Sequence, residues 1–142
     1  MAPQPTRTVV LMSIHPRYAG LILSGRKQVE FRRARIRGPI SHVLIYETAP
    51  VQRVTGFFEV AGVDEADPQS IWETYEAVAG INHAAFWNYF AGRKTAVAIR
   101  VGRVVSLRQQ VRLASFEARP VVPQSFRYVS PRWLANIGND AL

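Results

Sequence analysis

The sequence predicts an α+β domain: a small, mostly antiparallel, barrel-like sheet with a short first helix and an insertion of two helices. Short runs of apolar or alternating residues recur five or six times along the chain, each closed by Gly, Pro or a polar turn. Helix start and stop signals bracket only brief stretches between them. A length of 142 residues, 48% hydrophobic and free of cysteine, suits one domain whose core needs neither a disulfide nor a metal staple.

Thr8–Ile14 reads as the first strand, because VVLMSI is β-branched and apolar enough to be buried on both faces. Pro16 then opens a helix with Tyr18, Leu21 and Ile22 on one face, and Gly25 closes it. Gln28–Arg32 resumes as a strand, in which Val29 and Phe31 face one way while Glu30 and Arg32 face the other. After the Gly38-Pro39 turn, His42–Thr48 is a third strand and Arg53–Val63 a fourth, with Gly56 marking a bulge or a close approach. Asp67-Pro68 opens a helix carrying Ile71, Tyr75 and Val78. Asn82 caps a second, with Phe86 and Phe90, that stops at Gly92. Thr95–Val105 alternates as a half-buried strand, and a neighbour is expected at Gln110–Ala114. Beyond it, Pro120, Pro123 and Pro131 forbid a long helix or a central strand and leave room for one helical turn at Trp133.

Charge and composition narrow the function. Eighteen Lys and Arg against ten Asp and Glu give a net charge of +8, which points to a polyanionic partner. Lys27 and Lys94 are the only lysines; the rest are arginines, whose planar fork suits bidentate phosphate contacts and stacking on bases. Arg26, Lys27, Arg32, Arg33, Arg35 and Arg37 fall close together, while Asp64, Glu65, Asp67, Glu73 and Glu76 gather further on, so a two-sided surface is expected. The absence of cysteine excludes thiolate metal sites and thiol nucleophiles. His15, His42 and His83 lack metal-ligand spacing, so no metal and no cofactor is expected. Met1–Arg7 lacks the apolar stretch of a signal peptide and no run is long enough to span a membrane, which leaves a cytoplasmic location without membrane partners as the expectation.

The sharpest local pattern is Gly25-Arg26-Lys27-Gln28-Val29-Glu30-Phe31-Arg32, of the form G-x-K-x-x-E-x-R, at the junction of the first helix and second strand. It occurs in order with Ser13-Ile14-His15-Pro16, with Ile45-Tyr46 followed by Ala49-Pro50-Val51, and with Pro123-Gln124-Ser125-Phe126-Arg127-Tyr128. Together these resemble the ASCH family, within the PUA-like superfold of RNA-associated β-barrels, across most of the chain from about Leu11 to Tyr128. The resemblance implies a PUA-like barrel over residues 8–130, with 1–7 and 135–142 expected as flexible tails. It also implies a cleft beside the first helix that binds RNA or a modified nucleotide.

In that cleft His15, Lys27, Glu30, Arg32, Arg53 and Ser125 are the candidate RNA or nucleotide contacts. Lys27 and Arg32 would hold phosphate or carbonyl groups, and Glu30 would accept hydrogen bonds from a base edge or shape the cleft by pairing with the cations. Lys27 and Glu30 are expected at its mouth. The main reading is a binding module, and the alternative is a metal-independent ribonuclease or nucleoside hydrolase using Lys27, Glu30 and Tyr46. Ribonuclease activity within the family implies Tyr46, Arg53 and Ser125 as carriers; Arg53 could stabilise a phosphorane but not act as a base. A branch that deacylates cytidine uses a Thr where this chain has Glu30, which disfavours that reaction here. Trp72, Tyr75, Phe86, Trp87 and Phe90 lie at helical spacing and are expected in the core, with Trp87 the most exposed.

Overall fold

The computed structural model describes residues 7–137. The elements run β1 (Val9–Ile14), α1 (Pro16–Leu23), β2 (Val29–Arg32), β3 (His42–Glu47), β4 (Arg53–Ala66), α2 (Pro68–Tyr75), α3 (His83–Tyr89), β5 (Ala96–Val111), β6 (Phe126–Val129) and α4 (Arg132–Ile137). They form one curled six-stranded sheet in the order β2-β5-β4-β3-β1-β6. β1 and β3 are parallel, as a crossover through α1 and β2 permits, and the other neighbours are antiparallel. The result is a half-barrel with β2 and β6 as its two edges.

Curvature comes from the β4–β5 hairpin. Its register shifts between Val54 and Gly56, between Phe58 and Val60, and between Val60 and Gly62, and such irregularities bend and twist a ladder. Gly56 is a close approach as expected: a Cβ there would lie 2.5 Å from the Val105 carbonyl oxygen. β1 and β3 are buried on both faces. Val10, Met12, Val43 and Ile45 pack with Ala19 and Ile22 of α1, while Val9, Leu11, Leu44 and Tyr46 pack with Trp133, Leu134 and Ile137 of α4. A third cluster sets Ile71, Tyr75, Phe86 and Phe90 of the insertion against Val29 and Phe31 of β2 and Ala96 and Ala98 of β5. The expected aromatic core is therefore present, and Trp87 is half-buried, donating from Nε1 to His83 Nε2 at 2.7 Å.

Two expectations change, and one, that the tail holds no central strand, stands. The strand placed at 110–114 is not separate: β5 runs unbroken to Val111, because its bulged pairing lets one strand follow the bend, and Leu113–Ser115 form a 3₁₀ turn. The proline-rich tail contributes β6, though only four residues long and at the sheet edge, where prolines on either side cost no ladder bonds. The boundary at 130 and the tail from 135 also shift, since α4 buries Ile137 to 2% exposure. The remainder of both expected tails, 1–6 and 138–142, lies outside the described residues. No helix among the described residues is long and apolar enough to cross a membrane.

Candidate functional site

The residues singled out by sequence fall into two places. The first is the G-x-K-x-x-E-x-R segment. His15 caps α1 by accepting from the Arg17 amide through Nδ1, Pro16 occupies the first turn, and Gly25 at φ +83° closes the helix, so the chain turns directly into β2. Lys27 in that turn points inward rather than toward a mouth, and is only 2% exposed. Its Nζ donates to the Ala79 carbonyl at 2.5 Å, lies 4.0 Å from Glu30 Oε1, and sits over the Phe31 ring at 4.9 Å and the Tyr18 ring at 5.4 Å. Gly80, at φ +62°, makes room for it: a Cβ there would meet the Lys27 stem at 2.6 Å. Burial holds the Lys27 ammonium below its ordinary pKa, with Glu30 opposing and Arg32 adding to the shift.

Glu30 and Arg32 continue the knot. Glu30 Oε1 accepts from the Phe31 amide at 3.1 Å and Oε2 from Arg32 Nη2 at 3.1 Å. Arg32 crosses the open seam of the half-barrel, donating from Nη2 to the Ser13 carbonyl at 2.8 Å and from Nη1 to Ser125 Oγ at 3.3 Å. Ser125 in turn accepts the Ser13 amide at 3.0 Å through its carbonyl. The edge strand β2 is thus tied by one guanidinium to β1 and to the segment entering β6. The adjoining cavity, lined by Tyr18, Lys27, Glu30, Phe31, Ile81 and Tyr89, holds only about 80 Å³.

The second place is at the C-terminal end of β3, where Tyr46 pairs in register with Ser13 of β1. Val54 pairs with Tyr46 on one side and with Val111 on the other, so Tyr46, Arg53 and Arg112 come to the same end of three adjacent strands. The β3–β4 register shifts between Ile45 and Tyr46, leaving Thr55 as the extra residue, with a buried hydroxyl that has no partner among the described residues. Gln52 holds φ +52°, a conformation that costs a non-glycine residue energy and recurs at functional sites. Arg53 folds over this turn, donating from Nη1 to the Gln52 carbonyl at 2.9 Å. Tyr46, Gln52, Arg53, Arg112, Pro120 and Val122 line a concavity of about 280 Å³. The Tyr46 hydroxyl has no hydrogen-bond partner among the described residues, and Arg53 and Arg112 have no acidic partner there.

The structure therefore separates residues that sequence reading had grouped. Lys27 and Glu30 are on the β2 side, Tyr46 and Arg53 share the second concavity, and Ser125 lies at the β1–β6 edge, held by Arg32. His15 is exposed on α1 with its ring 6.1 Å from that of Tyr18 and joins neither group. Gln52 and Arg112 were not singled out: only the turn conformation and the β5 register reveal them. Pro50, two residues before Gln52, was the available sign of an irregular turn. Among the described residues no three His, Asp or Glu side chains converge as a metal site would require.

The comparisons agree with this architecture. An ASCH domain-containing ribonuclease from Zymomonas mobilis is 35% identical over 100 residues, covering 69% of this chain and 67% of the relative. The crystal structure of ASCH from Zymomonas mobilis superposes with a TM-score of 0.87 at 26% identity, over 96% of this chain and 98% of that one. Crystal structures of two variants of the Zymomonas protein, one with a tyrosine changed to phenylalanine and one with a serine changed to alanine, give TM-scores of 0.85 and 0.86. A protein named ATP synthase subunit alpha from Ureaplasma parvum is 28% identical over 124 residues, but the chain spans only 15% of its length. The ASCH domain model matches residues 12–104, a stretch that holds α1, the G-x-K-x-x-E-x-R knot, Tyr46, Arg53 and the insertion, and on these grounds the chain belongs to the ASCH family.

Proposed function

We propose that this protein binds single-stranded RNA in the cytoplasm and cleaves it at the Tyr46 concavity without a metal ion. One observation carries the reading: a phenol and two guanidiniums free of acidic partners converge on one concavity, in a chain 35% identical to an ASCH ribonuclease. Arg53 and Arg112 there suit a phosphodiester, as bidentate donors to its oxygens that stabilise the charge of a pentacovalent phosphorane. The ribose 2′-oxygen attacks phosphorus and loses its proton to solvent, the bond to the 5′-oxygen breaks, and the Tyr46 hydroxyl gives that leaving oxygen a proton. The products are a 2′,3′-cyclic phosphate and a 5′-hydroxyl.

Binding without cleavage is favoured by a different observation. No carboxylate or imidazole lines this concavity, so no side chain there is an evident acceptor for the 2′-hydroxyl proton. A modified nucleotide as ligand, or its hydrolysis, would rest on the cavity beside Lys27 and Glu30. That cavity is well below the roughly 300 Å³ at which small-molecule sites begin, and the Glu30 carboxylate is already engaged.

Short RNAs and a panel of modified nucleosides, incubated with the protein in chelator, separate these readings. Cyclic-phosphate products are expected from RNA, with the rate falling about 10²- to 10⁴-fold in Tyr46→Phe while affinity holds. Binding with no product, or equal cleavage by Tyr46→Phe, would leave a binding module; turnover of a nucleoside would move the chemistry to Glu30.

A further inference from the structure

A second basic concavity lies beside the first. Arg32, Arg33, Tyr89, Arg93, Gln124 and Ser125 line about 350 Å³ on the seam side of the half-barrel. Arg33 and Arg93 are exposed and have no acidic partner among the described residues, whereas Arg35, Arg100, Arg103 and Arg127 are each paired with Glu or Asp. The Arg33 guanidinium is held over the Tyr89 ring at 4.6 Å, which fixes its plane and leaves its edge free to donate. Arg32, in the same lining, is 8% exposed, and its Nε has no partner among the described residues. The Ser125 hydroxyl and the Gln124 amide supply neutral donors in the same concavity. No carboxylate lines it, so its charge is net positive.

Its position relative to Tyr46 follows from the chain. Pro120 and Val122 wall the Tyr46 concavity, and Gln124 and Ser125 wall this one. Only Pro123 lies between Val122 and Gln124, and two steps of extended chain span at most about 7 Å. The strap 120–125 therefore borders both cationic concavities.

We infer that the Arg33–Arg93 concavity is a second phosphate subsite, and that one single-stranded RNA crosses the 120–125 strap with phosphates on both sides of it. This rests on the RNA reading above but not on cleavage. A strand crossing this strap meets Arg53 and Arg112 at one phosphate and Arg33 and Arg93 at another. Exposed Val121 and Val122 of the strap offer an apolar surface to the intervening nucleotide.

The test uses an RNA octanucleotide with 2′-O-methyl riboses, which cannot be cleaved by 2′-attack, so failure of the cleavage proposal leaves this measurement intact. Arg33→Gln with Arg93→Gln removes two charges while keeping side-chain length. Affinity is expected to fall at least tenfold, and the slope of log K against log salt to become shallower by about 0.7, the value for one phosphate contact on a single strand. Arg35→Gln with Arg103→Gln, which removes the same charge from paired surface arginines, is expected to lose less than threefold. An equal loss in this control, or wild-type affinity in the first double variant, would overturn the subsite. Saturation at one octanucleotide per chain supports the shared path, and two per chain would overturn it. Competition by an acidic peptide as effective as RNA would replace the RNA assignment with general anion binding.

Discussion

The Lys27–Glu30–Arg32 knot and the Tyr46–Arg53–Arg112 concavity contain similar chemistry in opposite states. In the knot two cations and one carboxylate are buried, paired and hydrogen-bonded to backbone, and they tie the helix turn, the insertion and the seam together. In the concavity two cations face open space without acidic partners, beside a phenol and a left-handed Gln52. A conspicuous charged motif can thus serve architecture, while the less conspicuous residues retain the donors a ligand needs. The physical distinction is whether the cations are buried against a carboxylate or stand without one.

The largest effect should come from breaking the knot asymmetrically. Glu30→Ala leaves two buried cations without their carboxylate and is expected to cost about 3–5 kcal/mol in urea unfolding. Replacing Lys27, Glu30 and Arg32 together by apolar residues of similar volume should recover much of that loss, because it also removes the desolvation penalty. Wild-type stability in Glu30→Ala would erase the contrast between the two regions.

On the other side, Arg53→Ala and Arg112→Ala should each weaken RNA binding by roughly 1.5–3 kcal/mol, the scale of a hydrogen bond to a charged group. Their unfolding free energies should stay within about 0.5 kcal/mol of wild type, as for surface substitutions generally. Equilibrium binding and urea titration on the same samples check both halves. Loss of stability with retained binding would assign these arginines to structure.

The smallest effects are in alkaline stability. Burial holds Lys27 below its usual 10.5, so the unfolded chain binds that proton more tightly, and stability contributed by this site should rise as pH climbs from the folded value toward 10.5. Lys27→Met should remove that rise. Tyr75 behaves oppositely: burial and its hydrogen bond to Asp64 push it up to about 12. Its contribution is complete below about pH 10 and is lost between 10 and 12, where the unfolded phenol ionises first. Tyr75→Phe should flatten that decline in pH-dependent denaturation curves, and an unchanged profile would show that the Asp64 contact contributes little.

Much of the fold was legible because its signals are local. The β-branched run of β1, Pro16 and Gly25 around α1, the Asp67 and Asn82 caps, and the shared face of Val97, Ile99 and Val101 each constrain only neighbouring residues. The strand misplaced at 110–114 and the length of α4 were not legible. The first depends on bulged pairing across a hairpin, and the second on whether Trp133, Leu134 and Ile137 find a partner cluster.

The same division applies to function. The sequence by itself determined the net positive charge, the lack of thiol chemistry, the G-x-K-x-x-E-x-R motif and Tyr46 on an otherwise aliphatic strand, because these are properties of residue identity and short spacing. Only the tertiary structure decided that Lys27 and Glu30 are sealed in a knot, that Tyr46 and Arg53 stand apart from them, and that Arg112 joins the second group. Those facts depend on sheet register between strands distant in sequence and on the competition between water and protein for each charged group, and neither is encoded at the position of the residue itself.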